Sequence, residues 1–430
     1  MEAPRVWEAW LLDCARRYLG DPASSMQTVR LPVTETEPTA DFVDVPLPPW
    51  MAEYGPDAPK AIPVDRCCLV GDHPEPWLRC DWLRAAYLML SGAHERAVEQ
   101  RQGPIHSYRL RLPRSLAVLH RRPWVNWIFL FLARLQAGRP VPAPKPLIYL
   151  THDVDAVTKA LPTRVKQGAF HVLNAGRHSA AGRLHDAGRA LGKAFRSSLL
   201  PGDYWQFETV MRMEEARDYR STWTFYGGPG GWRRSPREIL MDPIYNVRTP
   251  ALTAMLRTLV EGGWHVGLHQ AFDSWRDSDA MAAEAGTIAA ASGAPVTRCR
   301  QHWLRFSWRE TWAAQQAAGL RLDMTLGFND AIGFRNGAAL EIHPWAPETQ
   351  RPLEIRAVPL VLMDSHLHDY QLLNDDAIEA EIARVVGEIV QTGGTASVLW
   401  HQRVMHPDYG WDRSYAWLLD LLRQRGVDCA

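Results

Sequence analysis

The stretch KPLIYLTHDVDAV, residues 145–157, decides the fold: an apolar run halts at two carboxylates, Asp153 and Asp155. A strand sends residues i and i+2 to the same face, so both anions point one way and His152 points the other. Two like charges held together repel unless a cation or a shared proton lies between them. The segment reads as a buried strand whose end carries a charged site.

Downstream, QFETVMRMEEARDYR, STWTFYGG, TPALTAMLRTLVEGG, WHVGLHQ, AMAAEAGTIAAASG, VTRCRQHW, RETWAAQQAAG and LRLDMTLGF alternate helix-like and strand-like patterns. DDAIEAEIARVVGEIVQTGG, TASVLWH and RSYAWLLDLLRQRG resume the series. The helices end near Gly and the next strand starts within a few residues, the rhythm of βα units in a parallel sheet or barrel. Upstream, the Pro-rich GRPVPAPKP (138–146) marks a domain boundary. Residues 1–140 read as a smaller α/β domain, with helical DWLRAAYLMLSGAHERAVEQ and PWVNWIFLFLARLQ and β-like pieces in VTETEPTADFVDVPLPPW and KAIPVDRCCLVG. Residues 141–430 form the larger α/β unit, interrupted at 157–200 by a helical insertion carrying eight Lys or Arg against a single Asp186. That insertion reads as a basic lid for an anionic substrate, as an attachment to anionic lipid headgroups, or as a solvated helical excursion.

Composition narrows the function. With 46 % hydrophobic and 22 % charged residues and no net charge, the chain is globular and argues against a nucleic-acid binder. The opening MEAPRVWEAWLLDCARRYLG is an amphipathic helix in pattern and not a secretory signal, so a cytoplasmic protein is expected. The run WVNWIFLFLARL (124–135) is shorter than the roughly 20 residues that span a bilayer and reads as a buried helix, with no transmembrane segment. Six cysteines without a CxxC pair fit a reducing compartment.

Parallel α/β folds gather catalytic groups at the carboxyl ends of strands. Here those ends supply Asp153 and Asp155, His269 with Asp273 four residues on, Arg300 and His302, Asp323, and His401. The carboxylate pair is resolved by a divalent cation with oxygen and imidazole ligands, zinc first, with cobalt, nickel or manganese as alternatives.

The order DxD, GLH before an aromatic, Arg-x-His and a terminal Leu-x-His resembles the family 4 carbohydrate esterases, the polysaccharide deacetylases. THDVD, RQHWLRF, LGFNDAIGFRNG and LWH, with RCDWLRAAYLMLSGAHE upstream, are similar to a bacterial subgroup with an N-terminal accessory domain, over residues 60–430. The resemblance implies a distorted (β/α) barrel. It makes Asp153 the general base, Asp155 and His269 metal ligands, Arg300 the orienter of the base, and His401 the general acid, with Leu399 shaping an acetyl-methyl pocket. The family's second motif has a further His where this sequence has Asp273, so the third ligand is Asp273, His302 or water. A base and an acid with opposite protonation needs predict a bell-shaped pH profile.

Trp303, Asp323, Asn329 and Arg335 are candidates for lining a substrate pocket, while His366, His368 and His406 read as rim or packing residues. The expected activity is metal-dependent removal of an acetyl group, as N-acetyl, from a sugar, a sugar nucleotide or a lipid-linked glycan, with peripheral membrane contact as an option. The alternatives are hydrolysis of cyclic or linear amides of a non-sugar compound, and a non-catalytic glycan-binding or assembly protein on the same barrel.

Overall fold

The computed structural model describes residues 5–20, 32–107, 113–180, 182–200, 202–230 and 234–430. Helix α1 (Val6–Leu19) precedes an antiparallel ribbon of β1 (Phe42–Pro46) and β2 (Ala61–Asp65). The long helical pattern that follows is two helices, α2 (Trp82–Leu90) and α3 (Ala93–Gln102). They break at Gly92, whose φ of 65° is left-handed and whose added Cβ would lie 2.5 Å from the Trp308 ring. Helix α4 (Trp124–Ala137) is buried along most of its length, including Trp127, Phe129 and Phe131, which explains a run too short for a bilayer yet apolar nearly all round.

After 138–146 the chain enters β3 (Leu147–Val154), buried from its second residue onward. The insertion forms α5 (Leu161–Ala180) and α6 (Leu184–Leu199). The alternation then runs α7 (Phe207–Glu215), β4 (Thr222–Phe225), α8 (Pro236–Met241), α9 (Pro250–Glu261), β5 (His265–Gln270), α10 (Ser278–Ser292), β6 (Arg298–Gln301), α11 (Thr311–Ala317) and β7 (Leu322–Asp323). A small ribbon of β8 (Trp345–Ala346) and β9 (Arg351–Pro352) precedes β10 (Arg356–Ala357) and β11 (Leu360–Met363). The chain closes with α12 (Asp375–Thr392), β12 (Thr395–Leu399), α13 (Asp412–Gln424) and β13 (Asp428–Cys429). Local signals set these limits: Asp277 and Asn374 cap α10 and α12 through their side chains, and Gly293 and Gly393 end them in left-handed backbone.

The nine strands of the main sheet are all parallel: eight run in the order β10-β7-β6-β5-β4-β3-β12-β11, and β13 lies beside the start of β3. The two edge strands are separated in the chain only by Val358 and Pro359, so the sheet curls until its edges meet. Leu360 N–H bonds to Leu326 O at 2.8 Å near that seam. This is a distorted (β/α) barrel, with β7 and β10 only two residues long. One hydrophobic core runs from α1 and α4 into the barrel. Asn126 of α4 clamps Ala339 through both backbone groups, at 2.9 and 3.0 Å.

Candidate active site

Strand register builds the site. Asp153 pairs with Thr224 of β4, whose hydroxyl donates to Asp153 Oδ1 at 2.6 Å. Arg300 of β6 reaches across the barrel interior to Thr151 Oγ1 (2.7 Å) and the same Asp153 oxygen (3.1 Å), while its Nε donates to Met324 O. Burial alone would raise the Asp153 pKa, but Arg300, His269 and His401 outweigh it and hold the carboxyl below its ordinary value. On the opposite face, His152 is enclosed by Glu214 (2.8 Å) and Trp400 O (2.5 Å) and takes no part in the site.

Asp155 lies just past the strand end. Its Oδ1 is 3.3 Å from His269 Nε2 and 3.6 Å from His302 Nδ1, and those two nitrogens are 2.5 Å apart. The three donor atoms lie within 4.8 Å of one another, and Asp155 Oδ1 is buried without a hydrogen-bond partner. An orphaned carboxylate oxygen beside two imidazoles is costly unless a cation takes it, so the residues present fit a divalent metal. The outer contacts agree. His269 Nδ1 donates to Arg300 O at 3.2 Å, which fixes the tautomer and leaves Nε2 with its lone pair toward Asp155. The other Asp155 oxygen accepts from Arg403 and lies 3.5 Å from His401 Nε2. Burial would raise this carboxyl too, but Arg403, His401, His269 and His302 hold it well below the usual range.

His302 enters through a short 3-10 turn in which Trp303 (φ 57°) and Leu304 (φ 47°) are both left-handed. That conformation is strained for side chains of this size, and it turns His302 inward while Trp303 lines the pocket mouth, its indole donating to Met241 O. His401 N–H donates to Asp364 Oδ2 at 2.7 Å, and its Nδ1 lies 3.0 Å from both oxygens of that carboxylate. Burial would lower the His401 pKa, but Asp364 and Asp155 raise it above the ordinary value despite Arg403. The pocket, about 350 Å³, is lined by Asp153, Asp155, His269, His302, Leu399 and His401 together with Asn329 and Trp303. Leu304, Met363 and Leu399 form its apolar patch, packed together with Leu360.

Three expected residues are not brought here. Asp273 is exposed, its oxygens held by Arg237 (2.6 and 3.0 Å) and Arg305, and these arginines keep it at about 2. It is therefore corrected from ligand candidate to surface ion-pair partner, with His302 in the cluster instead. Asp323 is fully buried and accepts from Trp312 (2.9 Å), Gln315 (2.9 Å) and Thr325, tying α11 to β7 outside the pocket. Arg335 is enclosed by Glu95 (2.7 Å), Ser107 and Gly327 O (3.0 Å), joining α3 to the barrel, so its place is structural also. His366 is likewise internal, while His368 stacks on Trp411 at 4.4 Å.

Asp364, Arg403 and Thr224 escape the sequence reading. Asp364 sits directly after β11 in LMDSHLHDY, and the strand-end rule applied there would have found it. Thr224 has no local signal because its partner is set by strand register, and Arg403 because its partner is met through the 3-10 turn after β12.

Solved structures that match this chain are polysaccharide deacetylases and family 4 carbohydrate esterases. One from Mycobacterium smegmatis, named as a polysaccharide deacetylase, is 13 % identical over 66 % of this chain and 85 % of its own, with a TM-score of 0.39. A family 4 carbohydrate esterase from Streptomyces lividans in complex with acetate is 11 % identical over 67 % of this chain and 93 % of its own, TM-score 0.33. A family 4 pseudoenzyme from Bacillus anthracis is 11 % identical over 67 % and 64 %, TM-score 0.33. No family model and no curated protein matches the chain. Among the described residues, no helix is long and apolar enough to cross a membrane.

Proposed function

We propose that the chain is a metal-dependent hydrolase that removes an acetyl group, as N-acetyl, from a sugar or glycan intermediate. The observation that supports it is the convergence of the Asp155, His269 and His302 donor atoms between an ionised Asp153 and a carboxylate-backed His401. A divalent cation on those donors, zinc first for this oxygen and imidazole set, supplies Lewis acidity and a lowered water pKa.

The protein's own groups do the rest. Thr224 and Arg300 both hold Asp153 Oδ1, which leaves Oδ2 to accept the proton of the attacking water. The new C–O bond forms at the acyl carbon as the C–N bond breaks, and the amine departs only if protonated. His401 supplies that proton from Nε2, while Asp364 holds Nδ1–H and stabilises the charged ring. Leu304, Met363 and Leu399 offer an apolar seat for a methyl group.

Zinc-loaded protein is expected to release acetate from N-acetylhexosamine derivatives, with activity lost on chelation and regained with zinc. Asp153→Asn is expected to retain the metal and lower kcat by about 10²–10⁴. Protein that takes up no divalent metal, or an Asp153→Asn form with undiminished acetate release, overturns the reading.

A further inference from the structure

The helical insertion is amphipathic the wrong way round for a helix pair that serves only the fold. In α6 the buried positions are small, Ala187, Ala190, Ala194 and Ser197. The large apolar side chains point out instead: Leu184 (74 % exposed), Leu191 (53 %), Phe195 (58 %) and Leu199 (63 %), at the i, i+7, i+11, i+15 spacing of one helical stripe. In α5, Leu161, Val165 and Val172 are exposed on a stripe of their own. The two helices pack so closely that a Cβ on Gly168 would lie 2.1 Å from Ser198 Oγ. Of the fifteen large hydrophobic side chains exposed among the described residues, nine lie between 161 and 200.

We infer that this hairpin docks the protein on an anionic lipid bilayer. Charge selects the occupant. The insertion carries eight Lys or Arg against one Asp; Lys159 is buried against Asp408, while Arg177, Arg189 and Arg196 are exposed, the last two beside the α6 stripe and two turns apart. Large apolar tips flanked by cations, on a helix whose other exposed positions are polar or small, are the signature of a helix lying in the headgroup layer. A second copy would have to bring the exposed arginines of two such faces together, which disfavours self-association through this face. The placement also has a consequence for the site, because Thr163, Gln167 and Phe170 of α5 line the active-site pocket. A docked hairpin sets the pocket mouth at the membrane surface. Resting on the hydrolase reading, this selects a glycan carried on a lipid as the substrate class.

The test uses the zinc-loaded chain, sedimented with vesicles of phosphatidylcholine alone and with added phosphatidylglycerol, at about 0.1 M salt where surface charge is only partly screened. Binding is expected on the anionic vesicles and not on the neutral ones. Leu191→Asp/Phe195→Asp and Arg189→Glu/Arg196→Glu are each expected to weaken it at least about tenfold without changing the thermal midpoint. Absent binding, or equal binding by the parent and both variants, overturns the inference. So does light scattering that finds a dimer which Leu191→Asp/Phe195→Asp dissolves, since the face would then belong to a second copy. Vesicle binding needs no turnover, so its failure and that of the hydrolase reading are separately visible.

Discussion

Two carboxylates separate in role once their partners are known. Asp364 touches only His401 within the proposed chemistry, receiving both its backbone N–H and its Nδ1. Asp364→Asn removes the charge that favours the imidazolium and is expected to lower kcat by about 100-fold with little change in KM, read by steady-state acetate release. Asp273 makes the opposite case. Its carboxylate faces solvent between Arg237 and Arg305, and exposed pairs contribute little. Asp273→Ala is expected to leave metal stoichiometry intact and to shift stability by about 0.5 kcal/mol or less. His302→Ala should bring metal content below one per chain, measured on the same preparations by elemental analysis.

Among the elements, α3 is tied to the loop after β7 by a buried ion pair. Glu95 and Arg335 are both buried, and the guanidinium also meets Ser107 and Gly327 O, so its charge is satisfied without water. Removing one member of such a pair strands the other in low dielectric. Glu95→Ala is expected to cost about 3–5 kcal/mol in chemical denaturation. The segment LDMTLGFNDAIGFRNG illustrates how far an element can be read locally. Its first residues do form a strand, Leu322–Asp323, and the Asp323 carboxylate turns to the Trp312 and Gln315 side chains of α11. Its Gly-rich remainder is pinned through Arg335 to Glu95 of α3, more than two hundred residues earlier in the chain.

For the molecule as a whole, acid sensitivity follows from histidines held uncharged. His366 is fully buried, donates from Nε2 to Phe328 O at 2.9 Å and accepts Met363 N–H on Nδ1 at 3.1 Å. Burial lowers its pKa from 6.5 to about 4, and burial does the same to His120, whose ring lies 4.7 Å from Phe328. A depressed histidine favours the uncharged fold above the unfolded value, so its contribution is complete above pH 6.5. It is lost as pH falls toward about 4, the unfolded chain having taken up the proton first. A shift of this size is on the order of 3 kcal/mol per group. Calorimetric scans should show stability dropping over that interval, and His366→Asn should flatten the slope.

The alternation of strands and helices was legible in the chain because a strand buried on both faces and a helix with one apolar stripe each leave a local period. The gathering of Asp153, Asp155, His269, Arg300, His302 and His401 was legible for a related reason: in a parallel sheet every strand end lies on one side. Sequence alone could therefore nominate the side chains of a site. It could not choose among them, since Asp273, Asp323 and Arg335 stand at equally plausible places in the pattern. That choice depends on sheet order and register, which set β12 beside β3 across more than two hundred residues and bring Asp364 to His401 and Arg403 to Asp155. A carboxylate takes the nearest cation or donor that folding delivers, and that proximity exists only in three dimensions.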